Sequence, residues 1–156
     1  MDRNLIEVYA AGAARPAEAI RGLSAADLDA FPIPGTWSIR QIIAHLMDSD
    51  LIASIRMKRV IAMDNPTIMA YDEAAFANRL GYRWIETNRA CKLFELNRLL
   101  TADLLRSLPD SAFSRRGQHS ESGVLTLEKL LETYTGHLDH HLGFVMRKRV
   151  LLGKAV

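Results

Sequence analysis

The chain has 156 residues, 49% hydrophobic, 24% charged and 7% aromatic, and its 20 Lys+Arg against 18 Asp+Glu leave a formal charge of +2. This is ordinary globular composition at the length of one domain, expected to span residues 1–156. Charges of both signs are interspersed, which argues against nucleic acid or anionic lipid as partners. A charge also breaks every apolar run before the ~18 residues that a membrane span needs. Met1-Asp2-Arg3-Asn4-Leu5 lacks the basic start and apolar stretch of a signal peptide, so a cytoplasmic location is expected. Cys91 is the single cysteine. It excludes an intramolecular disulfide and argues against a cysteine-based metal site.

Leu5 to Leu23 carries Leu5, Val8, Tyr9, Ala13 and Ile20 at roughly helical spacing, with Pro16 expected to kink or split the segment. Ser24-Ala-Ala-Asp27 can start a short turn of helix, and Phe31-Pro-Ile-Pro-Gly35 reads as a loop. Ser38-Ile-Arg-Gln41 has the form of a capping box. It opens a second helix whose apolar face takes in Ile39, Ile42, Ile43, Leu46, Ala53, Met57 and Val60 and which runs to Asp64-Asn-Pro66. From Pro66 to about Gly81 a long connection follows, with room for a helical turn from Asp72 to Leu80; connections of this length usually carry function or pack as lids. A third helix is expected from about Ile85 to Leu108, then a polar loop or short hairpin from Ser111 to Gly123. The last helix starts near Thr126, with Leu127, Leu130, Leu131, Tyr134, Leu138 and Val145 as its apolar stripe. Arg147-Lys148-Arg149 follows, read as cations at a helix C-terminus. Four long helices with connected apolar faces predict an all-α helical bundle, with strand-like alternation nearly absent.

The five histidines are His45, His119, His137, His140 and His141. His137 and His141, four apart, stand about 40° and ~6 Å from one another on one helix, so both rings can meet a single ion. His141 falls within the apolar stripe, His137 at its edge and His140 on the flank. His45 lies just outside the core face of the second helix, where a third imidazole facing the pair would complete a three-nitrogen site. Neutral imidazole suits zinc, nickel or iron, and three protein ligands leave a position for water or substrate. The bland reading of each histidine is a hydrogen-bonded core residue, and spacing alone does not place His45 opposite the pair. His119, in a polar loop, reads as solvated.

Pro34-Gly-Thr-Trp37-Ser-Ile-Arg-Gln-Ile-Ile-Ala-His45-Leu-Met-Asp48 resembles the first histidine segment of the DinB superfamily, and Tyr134-Thr-Gly-His137-Leu-Asp-His140-His141 its closing segment. Ile55-Arg56-Met-Lys58, Asn65-Pro66-Thr-Ile, Ala70-Tyr71-Asp72-Glu73 and Leu125-Thr126-Leu-Glu128 are similar to its YfiT branch. The matching segments run in order from about residue 31 to 146. The resemblance implies a four-helix bundle with up-down-down-up connectivity, a short extra helix or long loop between the second and third long helices, and a homodimer. It also implies nickel or zinc on His45, His137 and His141. The implied activity is a metal-dependent hydrolase, or an S-transferase joining a low-molecular-weight thiol to an electrophile. Gly136 and Phe144 stand where that branch often has Trp and a further His, and both are expected to reshape the pocket wall.

An ion on three histidines can activate water or a thiol, and both uses need orienting groups nearby. Asp48 could orient the His45 ring through its other nitrogen. Asp50 lies in the middle of the second helix's apolar arc, so it either pairs with an arginine or lines a polar cavity. Arg56 shares the His45 stripe and could pair with a carboxylate or meet an anionic substrate, although a surface role is the plainer reading. Trp37 reads as a packing anchor. The competing hypothesis is a non-catalytic, stress-linked small-molecule or metal-binding module whose metal, if present, is structural or adventitious. A structural zinc would need a fourth protein ligand, for which only His140 or His119 is on offer, so an open site is expected.

Overall fold

A computed structural model describes residues 2–155. The helices are α1 (Asn4–Ala11), α2 (Arg15–Ala19), α3 (Ala25–Asp29), α4 (Ile39–Ala62), α5 (Glu73–Arg79), α6 (Thr87–Ser107) and α7 (Leu127–Leu151); the strands are β1 (Thr67–Ile68), β2 (Arg116–His119) and β3 (Gly123–Thr126). Their starts follow local chemistry. The side chains of Ser24, Ser38, Asp72, Glu86 and Thr126 each accept a backbone amide at the first turn of the helix they open. Ser24 and Ser38 complete reciprocal boxes with Asp27 and Gln41.

The expected first long helix is two short ones. The break falls at Gly12–Ala14, just before the proline, and Pro16 sits in the first turn of α2, where its missing amide costs nothing. Gly12 has a physical reason to be bare. A Cβ there would stand 2.7 Å from both Arg98 Nη1 and Leu138 Cδ2.

Two buried clusters set the direction of each helix. Near one end of the bundle, Ile39, Ile42 and Ile43 of α4 pack with Cys91 and Phe94 of α6, Leu142 and Val145 of α7, and Ala19 of α2. Near the other, Ala53, Met57 and Val60 of α4 pack with Ala102 and Leu105 of α6, Leu127 and Leu130 of α7, and Ile6 and Tyr9 of α1. Helices α4 and α6 are therefore parallel, while α1–α2 and α7 run the other way, which is the up-down-down-up order. Each of α6 and α7 packs against both α4 and α1–α2.

A parallel neighbour requires a connection that travels back the length of α4, about 36 Å for its 24 residues. Residues 63–86 do this, carrying β1, α5 and a short 3₁₀ turn at Tyr82–Trp84. On the way β1 pairs in parallel with β2, and β2 pairs antiparallel with β3, in the order β1-β2-β3. The expected loop or hairpin is thus a hairpin with a third strand added from the connection. Within this sheet Gly117 lets Ile68 and Val60 close over the backbone, since a Cβ would lie 2.5 Å from Ile68 Cδ1.

Candidate metal centre

Three imidazoles meet where the middle of α7 passes the N-terminal half of α4. His45 is completely buried, and its ring lies 5.1 Å from that of His137 and 4.5 Å from that of His141. The i,i+4 pair are themselves 4.4 Å apart, centroid to centroid. One ligand nitrogen from each lies within 4.8 Å of the others, and no other cluster of three or more such side chains occurs among the described residues. His45 Nε2 and His137 Nε2 are 3.1 Å apart. Two bare acceptor nitrogens repel at that distance, so either one carries a proton or both face a shared cation.

Burial holds the rings neutral. It pulls the pKa of His45 down to about 3, helped by His141, and that of His137 to about 3, helped by His141 and then His45. Burial, and then the neighbouring His140, take His141 to about 4. Neutral imidazole is the form that ligates metal. The donor set also fits by size, because nitrogens at ~2.0–2.1 Å from a tetrahedral ion stand roughly 3.3 Å apart. The indole of Trp37 packs 5.0 Å from the His45 ring, and the edge of Tyr134 lies 6.1 Å from His137.

The remaining sequence candidates are placed as follows. Asp48 does not orient His45: its Oδ2 accepts from the Tyr82 hydroxyl at 2.7 Å, and His45 Nδ1 is buried without a partner. Asp50 is paired with an arginine, Oδ1 accepting from Arg98 Nε at 3.0 Å, while Asn97 Nδ2 donates to Oδ2 at 2.7 Å. This ties α4 to α6 and commits the carboxylate to Arg98 and Asn97. Arg56 is half-buried and donates to the Tyr134 hydroxyl and the Met69 carbonyl, its guanidinium lying 5.9 Å from the centre of the Tyr71 ring. His140 is exposed and packs edge-on against Phe144. His119 is buried on β2, not solvated; its Nδ1 accepts the amides of Glu121 and Ser122 in the hairpin turn. Phe144 lines a cavity of about 140 Å³ with Trp37, His141 and Lys148. Gly136 is exposed, with open space where a Cβ would point, so it shapes no packed wall.

Sequence reasoning missed Glu73. The long connection lays the first residue of α5 beside the imidazoles, with Glu73 Oε2 4.0 Å from His45 Nε2. Its carboxyl is raised above the usual range by burial, against the opposing pull of Arg56. The available signal was an acidic residue at a helix start, which reads equally well as a partner of the helix dipole. Lys148 and Arg149 lie in the last turn of α7, as expected of cations at a helix C-terminus, but they do more than face its carbonyls. Both are buried, Lys148 Nζ donating to Thr36 Oγ1 at 2.5 Å and Arg149 Nη1 to the carbonyls of Ala19 and Arg21, so they brace α7 against other segments.

The chain belongs to a known class of protein: a family model described as the DinB superfamily matches residues 9–145. Within that class the chain is similar to "Putative metal-dependent hydrolase YfiT" of Bacillus subtilis, at 31% identity over 142 residues, covering 90% of this chain and 79% of that protein. A protein of Oceanobacillus iheyensis that also bears the name "Putative metal-dependent hydrolase" is 35% identical over 111 residues; the match covers 71% of this chain and 64% of the relative, just under two thirds of its length. The solved structure of Bacillus subtilis YfiT, described as having an unusual four-helix bundle topology, superposes with a TM-score of 0.90 at 27% identity, covering 96% of this chain and 86% of that one.

Proposed function

We propose that this protein is a metal-dependent hydrolase of a small-molecule substrate, with nickel or zinc held by His45, His137 and His141. The observation that carries the reading is the convergence of three neutral imidazoles from two helices, one fully buried and two half-buried, with ligand nitrogens within 4.8 Å. A divalent ion held there would supply Lewis acidity and lower the pKa of water toward ~7, which is the chemistry a hydrolase needs near neutral pH. The chain's own groups do the rest. Glu73, beside His45 and half exposed, accepts the proton that the water gives up. Trp37 and Tyr134 fix the ring planes of His45 and His137. Arg56, anchored on Tyr134 and Met69, places a positive charge next to Glu73, whose carboxyl feels its pull. The open side favours a catalytic over a structural ion, since His119 and His140 are turned to other partners.

The same reading includes a homodimer, supported by the exposed α6 stripe of Leu93, Leu96 and Leu100. It also places the protein in the cytoplasm, where a free buried thiol such as Cys91 is ordinary. The test is metal analysis of untagged protein together with turnover of simple esters and amides. One equivalent of metal, lost in His137→Ala along with hydrolysis, supports the proposal; protein without metal at neutral pH refutes it. Metal without hydrolysis, but with conjugation of a small thiol to an electrophile such as monochlorobimane, would assign the site to S-transfer. Metal with neither activity would leave a binding module.

A further inference from the structure

A groove lies along the outer face of α4, closed on one side by β1. Leu51, Ile52 and Ile55 of α4 form one wall and Ile68 and Met69 the other, around a space of about 400 Å³. That is within the range of small-molecule sites and holds roughly a dozen non-hydrogen atoms, counting about 30 Å³ for each water-sized group. Ile55 and Met69 are 55% and 65% exposed, so apolar surface is left to water here.

The charged side chains that line this groove are both cations, although the Glu73 carboxyl outside it is near enough to feel Arg56. Arg56 and Arg59, one helical turn apart, both line it. Among the described residues no carboxylate lies within ion-pair distance of either guanidinium. Arg59 is exposed, while Arg56 is half-buried with its Nε covered and without a hydrogen-bond partner. An apolar trough flanked by an exposed cation, Arg59, and by a second, Arg56, whose Nη atoms already donate to Tyr134 and Met69, complements a molecule that is greasy along its length and anionic at one end. Arg56 also joins this groove to the metal centre, through the Tyr134 hydroxyl to the ring that edges His137.

We propose that the groove between α4 and β1 binds an amphipathic carboxylate of about ten non-hydrogen atoms, its chain against Leu51, Ile55 and Met69 and its head on Arg56 and Arg59. The site is separate from the imidazole cluster and does not require the hydrolase reading.

Octanoate and its uncharged isostere octanamide are the probes, titrated calorimetrically into wild-type protein, His137→Ala, Arg59→Met and Ile55→Asp. Wild type and His137→Ala are expected to bind octanoate equally, at least tenfold tighter than octanamide, with acetate showing no binding. Arg59→Met should weaken octanoate about threefold, and Ile55→Asp should abolish its binding with an unchanged circular dichroism spectrum. Equal affinity for octanoate and octanamide in wild type overturns the proposal without reference to any variant. So does loss of octanoate binding in His137→Ala, which would put the head group at the histidines instead. So does failure of octanoate to bind while Ile55→Asp dissociates a dimer, which would make the groove an interface between copies of the chain.

Discussion

Truncating Asp50 tests whether its carboxylate holds helices together or serves the metal centre. Its side chain is 1% exposed and that of Arg98 2%, with 3.0 Å between Oδ1 and Nε. The guanidinium also donates to the Tyr134 carbonyl at 3.0 Å and lies 4.2 Å from the centre of the Tyr9 ring and 4.7 Å from that of Phe94. Asp50→Ala leaves this cation without its counter-ion, and the Asn97 amide loses one of its two acceptors, keeping the residue-50 backbone carbonyl. Removing one member of a buried pair costs about 3–5 kcal/mol. For a chain of this size each kcal/mol moves Tm by about 2–4 °C, so Tm should fall by about 6–20 °C. Arg98→Met should cost less, about 1–3 kcal/mol, because the stranded carboxyl can take up a proton. Burial already raises its pKa, against the opposing effects of Arg98 and Asn97. The double variant Asp50→Leu/Arg98→Met should be more stable than Asp50→Ala, since no charge is left unpaired. Urea and thermal melts followed by circular dichroism measure all four proteins, and metal content should be the same in each. A loss below about 1 kcal/mol in Asp50→Ala, or a double variant less stable than Asp50→Ala, would refute the coupling.

Gly12→Ala should destabilise by about 1–3 kcal/mol through overpacking against Arg98 and Leu138. An open helical site would instead gain about 0.5–1 kcal/mol from the same change, so a rise in urea midpoint would show that the contact yields freely. Chelated protein should lose stability on acidification. The three imidazoles have folded pKa values of about 3, 3 and 4, against about 6.5 unfolded. The unfolded chain therefore binds more protons, and their contribution is complete above about pH 6.5 and declines as pH falls toward 4. A urea midpoint that stays flat from pH 7 to 5 would contradict this. Glu73→Gln should retain the metal and lower kcat on an ester by about 10²-fold or more, as expected for loss of a general base. Unchanged kcat would remove Glu73 from the chemistry.

What a reader of the chain can recover follows the range of each interaction. Ser38 with Gln41, Ser24 with Asp27, and Thr126 at the head of α7 are settled within four residues, so the helix starts were legible. The His137–His141 pair was legible for the same reason, since one turn of helix places both rings on a common face. The β2–β3 hairpin was one of two readings of its segment, but β1 was not legible: it is two residues long and pairs with a partner some fifty positions away, leaving no alternation to detect. Asp50, Lys148 and His119 misled or divided the reading because a polar side chain can be buried wherever distant groups satisfy it, and those groups are invisible in local spacing.

By itself, then, the sequence determined the helical repertoire, the caps, the apolar stripes and the candidacy of three histidines, all of which depend on neighbours within a turn or two of the chain. Local spacing does not decide that α4 and α6 run parallel, which the family resemblance implied, and only the tertiary structure showed that residues 63–86 return past the imidazoles and deliver Glu73 to His45. The physical reason is that helix direction in a bundle is set by which apolar faces bury each other, and that choice is made between segments dozens of residues apart.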